Sequence, residues 1–366
     1  MSTLTTLDRS KMSVDDIYVE MKKRLEGLAP DFELRIKAEL AYEINQLKIE
    51  RNAVILGHNY MEPALFHFVP DFVGDSLELS RRAARTDKDV IVFCGVKFMA
   101  ETAKILNPGK TVLLPSEKAG CSLAASITAA DVRALRRRFP GVPVVTYVNT
   151  YADVKAESDI CCTSSNAVAV VRSLNSDKVI FLPDEYLARN VARETGKQII
   201  FPTVMRNGRI RVNSSEQRLA ANANDDLLFI GWRGRCEVHE KFTVGDIKMV
   251  REQFPDVMIL AHPECSPEVT AAADFSGSTT AMIRFVEQSQ APRYLLLTEC
   301  SMGDNIAAAN PDKEMVRLCS VRCPHMAQIT LEDTRDALKY NRYVIEVPED
   351  VRVRALRAVE RMIAIG

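Results

Sequence analysis

Asn52–Tyr60 reads NAVILGHNY, a short apolar run that ends on Gly57, His58, Asn59 and Tyr60. Consecutive apolar positions mean a strand buried on both faces, and such strands belong to parallel sheets covered by helices. The same design recurs along the chain. DVIVFCGVKF (89–98), KTVLLPS (110–116), VPVVTYVNT (142–150), KVIFLPD (178–184), KQIIFPT (197–203), DLLFIGW (226–232), VMILAHPEC (257–265) and RYLLLTECS (293–301) each run from apolar to polar or small residues. Amphipathic stretches such as SLELSRRAARTDK (76–88) and TAADVRALRRRFP (128–140) lie between them. Alternation of strand and helix gives an α/β class with right-handed crossovers. The strands fall into groups, and the layout predicts three small parallel-sheet units sharing one central cavity.

The boundaries that follow are a helical leader over 1–48, a first αβα unit over 49–130, a second over 131–242, a third over 243–332 and a closing strand and helix over 333–366. Residues 14–50 read as helix, with apolar residues at helical spacing among dense charge. The polar segment 206–226 reads as a surface insertion. In the tail, Pro348-Glu349-Asp350 opens the last helix.

The formal net charge is −1, which removes a global electrostatic case for nucleic acid or an anionic membrane. No apolar run approaches the roughly 20 residues of a membrane span. The N-terminal stretch lacks the apolar core of a signal peptide. The expectation is a cytoplasmic protein that engages small molecules, not membranes or nucleic acids.

Open parallel sheets gather functional groups beyond the carboxyl ends of their strands. The chain turns polar there, at His58-Asn59-Tyr60, Tyr147-Val148-Asn149, His262-Pro263-Glu264 and Glu299-Cys300-Ser301. The nine cysteines are too sparse for a disulfide scaffold. Cys94 sits inside an apolar run and reads as a core thiol, and adjacent Cys161 and Cys162 read as core or loop. Cys121, Cys236 and Cys323 each lie in a strand-to-helix turn, where cations and helix N-terminal amides lower a thiol's pKa. Spacing alone leaves several readings of them open: a soft-metal site, a lone Cys236/His239 chelate, or a Cys/His nucleophile pair.

Long segments then carry a resemblance: GHNYMEP, FCGVKFMAETAKIL, AGCSLA, TYVNTYADVKAESDICCTSSNAV, GRCEVHEKFT, AHPEC, GSTTAMI and CPHMAQITLEDTRDAL. Together, in this order, they resemble the quinolinate synthase A family of NAD biosynthesis. The resemblance covers the chain from about residue 50 onward. It implies three αβα units in pseudo-threefold arrangement around a central active site. It also implies one [4Fe-4S] cluster on Cys121, Cys236 and Cys323, with one iron left open as a Lewis acid. The implied reaction condenses iminoaspartate with dihydroxyacetone phosphate to quinolinate, releasing phosphate and water. A functional link to the iminoaspartate-producing L-aspartate oxidase follows from that substrate.

By the same resemblance, Glu264 is the general base, and His58, Tyr60 and Tyr147 line the pocket and polarise substrate. Asn149, Ser76, Ser164, His239, His262 and Thr279 bind substrate carboxylates, carbonyl or phosphate, and Met326 packs at the cluster edge. Some relatives carry a C-x-x-C-x-x-C run before the last ligand, whereas this chain has only Cys319 upstream of Cys323. Two other readings stand beside this one: an iron–sulfur hydro-lyase on another substrate, and a non-catalytic metal or redox sensor.

Overall fold

The computed structural model describes residues 11–205, 209–213, 228–318 and 321–366. All the apolar runs quoted above become strands. The first sheet holds β1 (Ala53–His58), β2 (Phe72–Gly74), β3 (Val90–Cys94) and β4 (Thr111–Leu113), in the order β2-β1-β3-β4. Next come β5 (Val144–Tyr147), β6 (Ile160–Cys162), β7 (Lys178–Leu182) and β8 (Gln198–Ile200). An antiparallel pair, β9 (Thr203–Val204) with β10 (Ile210–Arg211), precedes β11 (Leu228–Gly231). The second sheet runs β6-β5-β7-β11-β8. The third holds β12 (Met258–Ala261), β13 (Phe275–Ser276), β14 (Arg293–Leu297) and β15 (Glu314–Val316), ordered β13-β12-β14-β15. Pairing is parallel throughout the first two sheets and between β14 and β15.

The three sheets repeat one plan. β1, β5 and β12 are counterparts, as are β2, β6 and β13, then β3, β7 and β14, then β4, β11 and β15; β8 is an extra edge in the second. The repeat reaches single hydrogen bonds. Asp71, just before β2, accepts from Ile55 N–H at 2.8 Å and returns its own N–H to Ile55 O at 2.9 Å. Asp159, just before β6, does the same with Val144 at 2.8 and 3.0 Å. Inner strands β1, β3, β5 and β11 are buried at every residue, which is why their sequences are unbroken apolar runs. The short edges β2 and β15 each expose at least one residue and carry no such run.

Residues 14–50 form two helices, Val14–Leu25 and Asp31–Glu50, where the sequence pattern suggests one. Gly27 adopts φ 78°, and Pro30 becomes the N-cap of the second helix, so the chain turns between them. Ser13 and Asp16 close a capping box at the start of the first. The segment 333–366 begins inside the helix Leu331–Tyr340. Val344 bridges Leu113 antiparallel, Ile345 N–H donates to Val112 O at 2.8 Å, and the helix Glu349–Ile363 follows. That helix packs on β6 and is held by Asn166 Nδ2, which donates to Met362 O and Ile365 O. Of the segment 206–226, only 209–213 fall within the described residues; there Ile210–Arg211 pairs with β9.

By proximity the described chain divides into two compact units. One comprises residues up to Gly120, Lys248–Leu260 and Thr279–Glu346; the other comprises Cys121–Ile247, Ala261–Ser278 and Val347–Gly366. No helix among the described residues is long and apolar enough to cross a membrane.

Phe181 and Phe229, both fully buried on neighbouring strands, stack with centroids 5.6 Å apart. Phe229→Ala should cost about 3–5 kcal/mol by urea denaturation, through lost burial and the cavity left behind. Val353→Thr, on the exposed side of the last helix, should stay within about 0.5 kcal/mol of the parent.

Candidate active site

The strand ends carry the polar groups, and in the unit containing Cys121–Ile247 they converge on one carboxylate. Glu264, three residues past β12, is buried. Its Oε2 lies 2.6 Å from His239 Nδ1 and 3.6 Å from His262 Nδ1. Asn149 Nδ2 donates to its Oε1 at 3.2 Å, and the Tyr147 hydroxyl donates as well. The two imidazoles stack, with centroids 4.4 Å apart. Burial pushes the Glu264 carboxyl up, but His239, then His262 and Tyr147, outweigh it, so Glu264 stays below the usual carboxylate range. It is an ionised carboxylate away from bulk water with two rings able to share a proton.

Asp184 lies in the same unit, wholly buried two residues past β7. Burial and the neighbouring Glu264 raise its carboxyl well above the ordinary range. Cys236 is also raised, by burial first, then by Glu264 and Cys121; the N–H groups of His239 and Val238 oppose this only in part. The expectation of a lowered thiol pKa is therefore reversed at Cys236. Crowding by protein and by nearby acids outweighs the local amides. Cys94 is pushed to about 12 and Cys161 to about 11 by burial, so both are core thiols.

Ligand atoms of Cys236, His239 and Glu264 lie within 4.8 Å of one another, close enough to share a metal ion. The electrostatics fit a cation: Cys236, Asp184 and Glu264 cannot all carry charge without one, and ligation favours the thiolate. Cys121 belongs to this neighbourhood. It caps the short helix Ser122–Ala125, its Sγ accepting from Ala124 N–H at 3.5 Å, and it acts electrostatically on Cys236. The loop bearing Cys236 is pinned beside that helix, since Trp232 Nε1 donates to Ser126 O at 3.1 Å. Gly234 is required there, because an added Cβ would stand 2.7 Å from Pro183 O and 2.6 Å from Ser126 Oγ.

In the other unit, His58 closes β1, and its Nδ1 accepts from Tyr60 N–H at 3.3 Å. Tyr60 Oη and Thr298 Oγ1 are 2.5 Å apart. Asn59 Nδ2 donates to Thr279 Oγ1 at 2.9 Å, and Asn305 Nδ2 holds Asn59 O and Met61 O. Ser76 opens the helix Ser76–Arg85, but Asp75 is its N-cap and takes the Leu77 and Glu78 N–H groups. Ser164 lies in the turn after β6. Ser76, Ser164 and Ser278 each stand two residues past β2, β6 and β13, an equivalence that the short edge strands hide in the sequence. Met326 is buried in a single 3₁₀ turn after Cys323. Cys319 lies outside the described residues.

One backbone hydrogen bond recurs in all three sheets. The first residue of the helix after β3, β7 and β14 donates to the carbonyl two residues before a cysteine. The pairs are Lys97 N to Ala119 O (2.8 Å), Glu185 N to Gly234 O (2.7 Å) and Cys300 N to Val321 O (3.1 Å). Cys121, Cys236 and Cys323 therefore occupy the same place in successive copies of one plan.

Comparison with known proteins agrees with this geometry. Residues 42–364 match the family described as Quinolinate synthetase A protein. "Quinolinate synthase 2" of Mesorhizobium japonicum is 53% identical over 342 residues, 93% of this chain and 96% of that one. "Quinolinate synthase" of Xylella fastidiosa is 54% identical over 332 residues, covering 90% and 89%. The protein of that name from Agrobacterium fabrum is 53% identical over 322 residues, covering 88% and 84%. With its strand-end residues, its repeated cysteine positions and this extent of identity, the chain belongs to the quinolinate synthetase A family.

Proposed function

We propose that this chain is a quinolinate synthase, condensing iminoaspartate with dihydroxyacetone phosphate and releasing phosphate and water. The observation that carries the cofactor assignment is the thrice-repeated hydrogen bond that puts Cys121, Cys236 and Cys323 in equivalent positions. We assign those thiols as the ligands of one [4Fe-4S] cluster. When bound, such a cluster supplies an iron with a vacant position, a Lewis acid for a carboxylate or hydroxyl. A site that depends on free thiols fits a reducing compartment, so the cytosol is its place. L-aspartate oxidase, as the source of iminoaspartate, is its functional neighbour.

The chain's own groups take the remaining roles. Glu264 is ionised and takes the proton in the enolisation and imine steps; His239, 2.6 Å away, is placed to share it. Asn149 fixes the carboxylate's other oxygen. Tyr147, His262 and Ser164 bind substrate beside it. Tyr60, braced by Thr298, polarises a substrate oxygen, and His58, Ser76 and Thr279 complete that side. The reaction balances without an external oxidant or reductant, so a Lewis-acid site and proton transfer suffice.

A second reading rests on the proximity of Cys236, His239 and Glu264. Their sulfur, nitrogen and oxygen donors would suit a single zinc ion. Iron, sulfide and zinc analysis of protein purified without air separates the two. Iron with acid-labile sulfide supports the cluster, and zinc without sulfide supports the alternative. Product analysis after anaerobic incubation with both substrates should show quinolinate; its absence from cluster-loaded protein would refute the assignment.

Cys121→Ala, Cys236→Ala and Cys323→Ala should each abolish the brown chromophore, while Cys94→Ala keeps it; absorption spectra after reconstitution decide. Glu264→Gln should retain iron and sulfide but lower kcat by at least about 100-fold, the scale of a lost general base. Gly234→Ala should lower both thermal stability and iron content, because the clash is with the Pro183 carbonyl and the backbone cannot yield as a side chain would.

A further inference from the structure

Three strand ends that supply site residues share one local plan, and one of them carries a buried charge that the chemistry above leaves unused. A short helix begins five residues past His58, Tyr147 and His262: Pro63–Phe68, Ala152–Ala156 and Pro267–Ala272. Two residues past the same three points stand Tyr60, Asn149 and Glu264. The fourth residue of each helix is buried: Phe66 in the first copy, Lys155 in the second and Thr270 in the third. Lys155 is 0% exposed, although an ammonium out of water is costly unless acceptors take its protons. Its Nζ donates to Thr150 O, the carbonyl of the residue directly after Asn149.

The second copy also differs in how its turn is fastened. In the first, Met61 N–H donates to His58 O at 3.0 Å, and the Glu62 carboxylate caps the helix by accepting from Ala64 and Leu65 N–H. In the third, Cys265 N–H donates to His262 O at 2.9 Å, and Ser266 Oγ caps by accepting from Val269 N–H at 3.3 Å. In the second, Tyr151 holds the N-cap position without a capping side-chain bond. There Thr150 N–H donates to Val148 O at 2.7 Å, and the Thr150 hydroxyl, not its N–H, donates to Tyr147 O at 3.1 Å. Lys155 then takes the Thr150 carbonyl from within the helix. An apolar or neutral residue fills this place where a cap secures the turn; the ammonium appears where the cap is replaced. The residue this turn presents is Asn149, whose Nδ2 donates to Glu264 Oε1 at 3.2 Å.

We propose that Lys155 and Thr150 form an internal clamp on the turn after β5, a pair of positioning residues that hold Asn149 against the Glu264 carboxylate. The clamp's part in turnover rests on the role proposed above for Glu264; its part in holding the turn does not.

The test uses the full-length protein with Lys155→Met, which keeps the stem and removes the donor, and Thr150→Val, a nearly isosteric loss of the hydroxyl. Each is made alone and together with Asn149→Ala. In both single variants, amide hydrogen exchange of the peptide spanning 147–151 should be at least about 10-fold faster than in the parent, the scale of one lost hydrogen bond. Peptides of the first and third sheets should exchange as in the parent. After anaerobic reconstitution, iron and sulfide should match the parent, while kcat for quinolinate formation falls about 10- to 100-fold, the scale of a displaced catalytic partner. Because the clamp acts through Asn149, adding either substitution to Asn149→Ala should change kcat by less than about 2-fold. Thr150→Ser, which keeps the hydroxyl, should retain parental kcat and exchange. Parental kcat in both clamp variants, or full multiplication of their losses with that of Asn149→Ala, would overturn the proposal. So would faster exchange spread over all three sheets, which marks a general loss of stability. If Lys155→Met does not fold, the Thr150→Val arms decide by the same criteria. The exchange arm needs no substrate. Local loosening in a parent chain that makes no quinolinate would keep the clamp and refute the functional reading; unchanged exchange in an active chain would refute the clamp alone.

Discussion

A single backbone hydrogen bond, made once in each sheet, is the constraint on which the site depends. It runs from the first turn of the helix after a central strand to the carbonyl two residues before a cysteine. Each is worth only about 0.5–1.5 kcal/mol in net stability. Its consequence is positional: the loop leaving β4, β11 or β15 is tied to the helix leaving the adjacent strand. The intervening spacings differ, since the cysteines follow their strands by unequal numbers of residues. The tie removes that difference and returns each thiol to an equivalent place.

The second feature is an excess of buried acid around Cys236. Glu264 remains ionised because two imidazoles and two neutral donors face it. Asp184 and Cys236 are pushed toward their neutral forms by burial and by Glu264. Such a cluster of groups is costly in a chain that serves packing alone. A bound cation changes the balance, because it turns the thiol into a thiolate and offsets the carboxylate field. His239 and His262 hold Glu264 in its ionised form. In the function proposed for this chain, cofactor binding and proton transfer draw on one set of charges.

Much of this was legible in the sequence, for stated reasons. Strands buried on both faces wrote themselves as unbroken apolar runs, so β1, β3, β5, β7 and β14 were visible. Edge strands β2, β6, β13 and β15 are two or three residues long and left no run to find. Their absence concealed the equivalence of Ser76, Ser164 and Ser278. Gly27 and Pro30 carried the signal for the break between the first two helices, but the surrounding periodicity masked it. The direction of the Cys236 shift was misjudged because local amides and arginines are visible in sequence while burial is not. The long motifs, by contrast, led directly to the family.

The central claim is that equivalent thiols from three copies of one plan hold one cluster and leave one iron without a protein thiolate. Mössbauer spectroscopy of protein reconstituted with the isotopically enriched metal, with and without quinolinate, tests it most directly. The account predicts one iron distinguishable from the other three, whose signal alone shifts when quinolinate is added. Four irons in uniform thiolate coordination, unchanged by quinolinate, would contradict it.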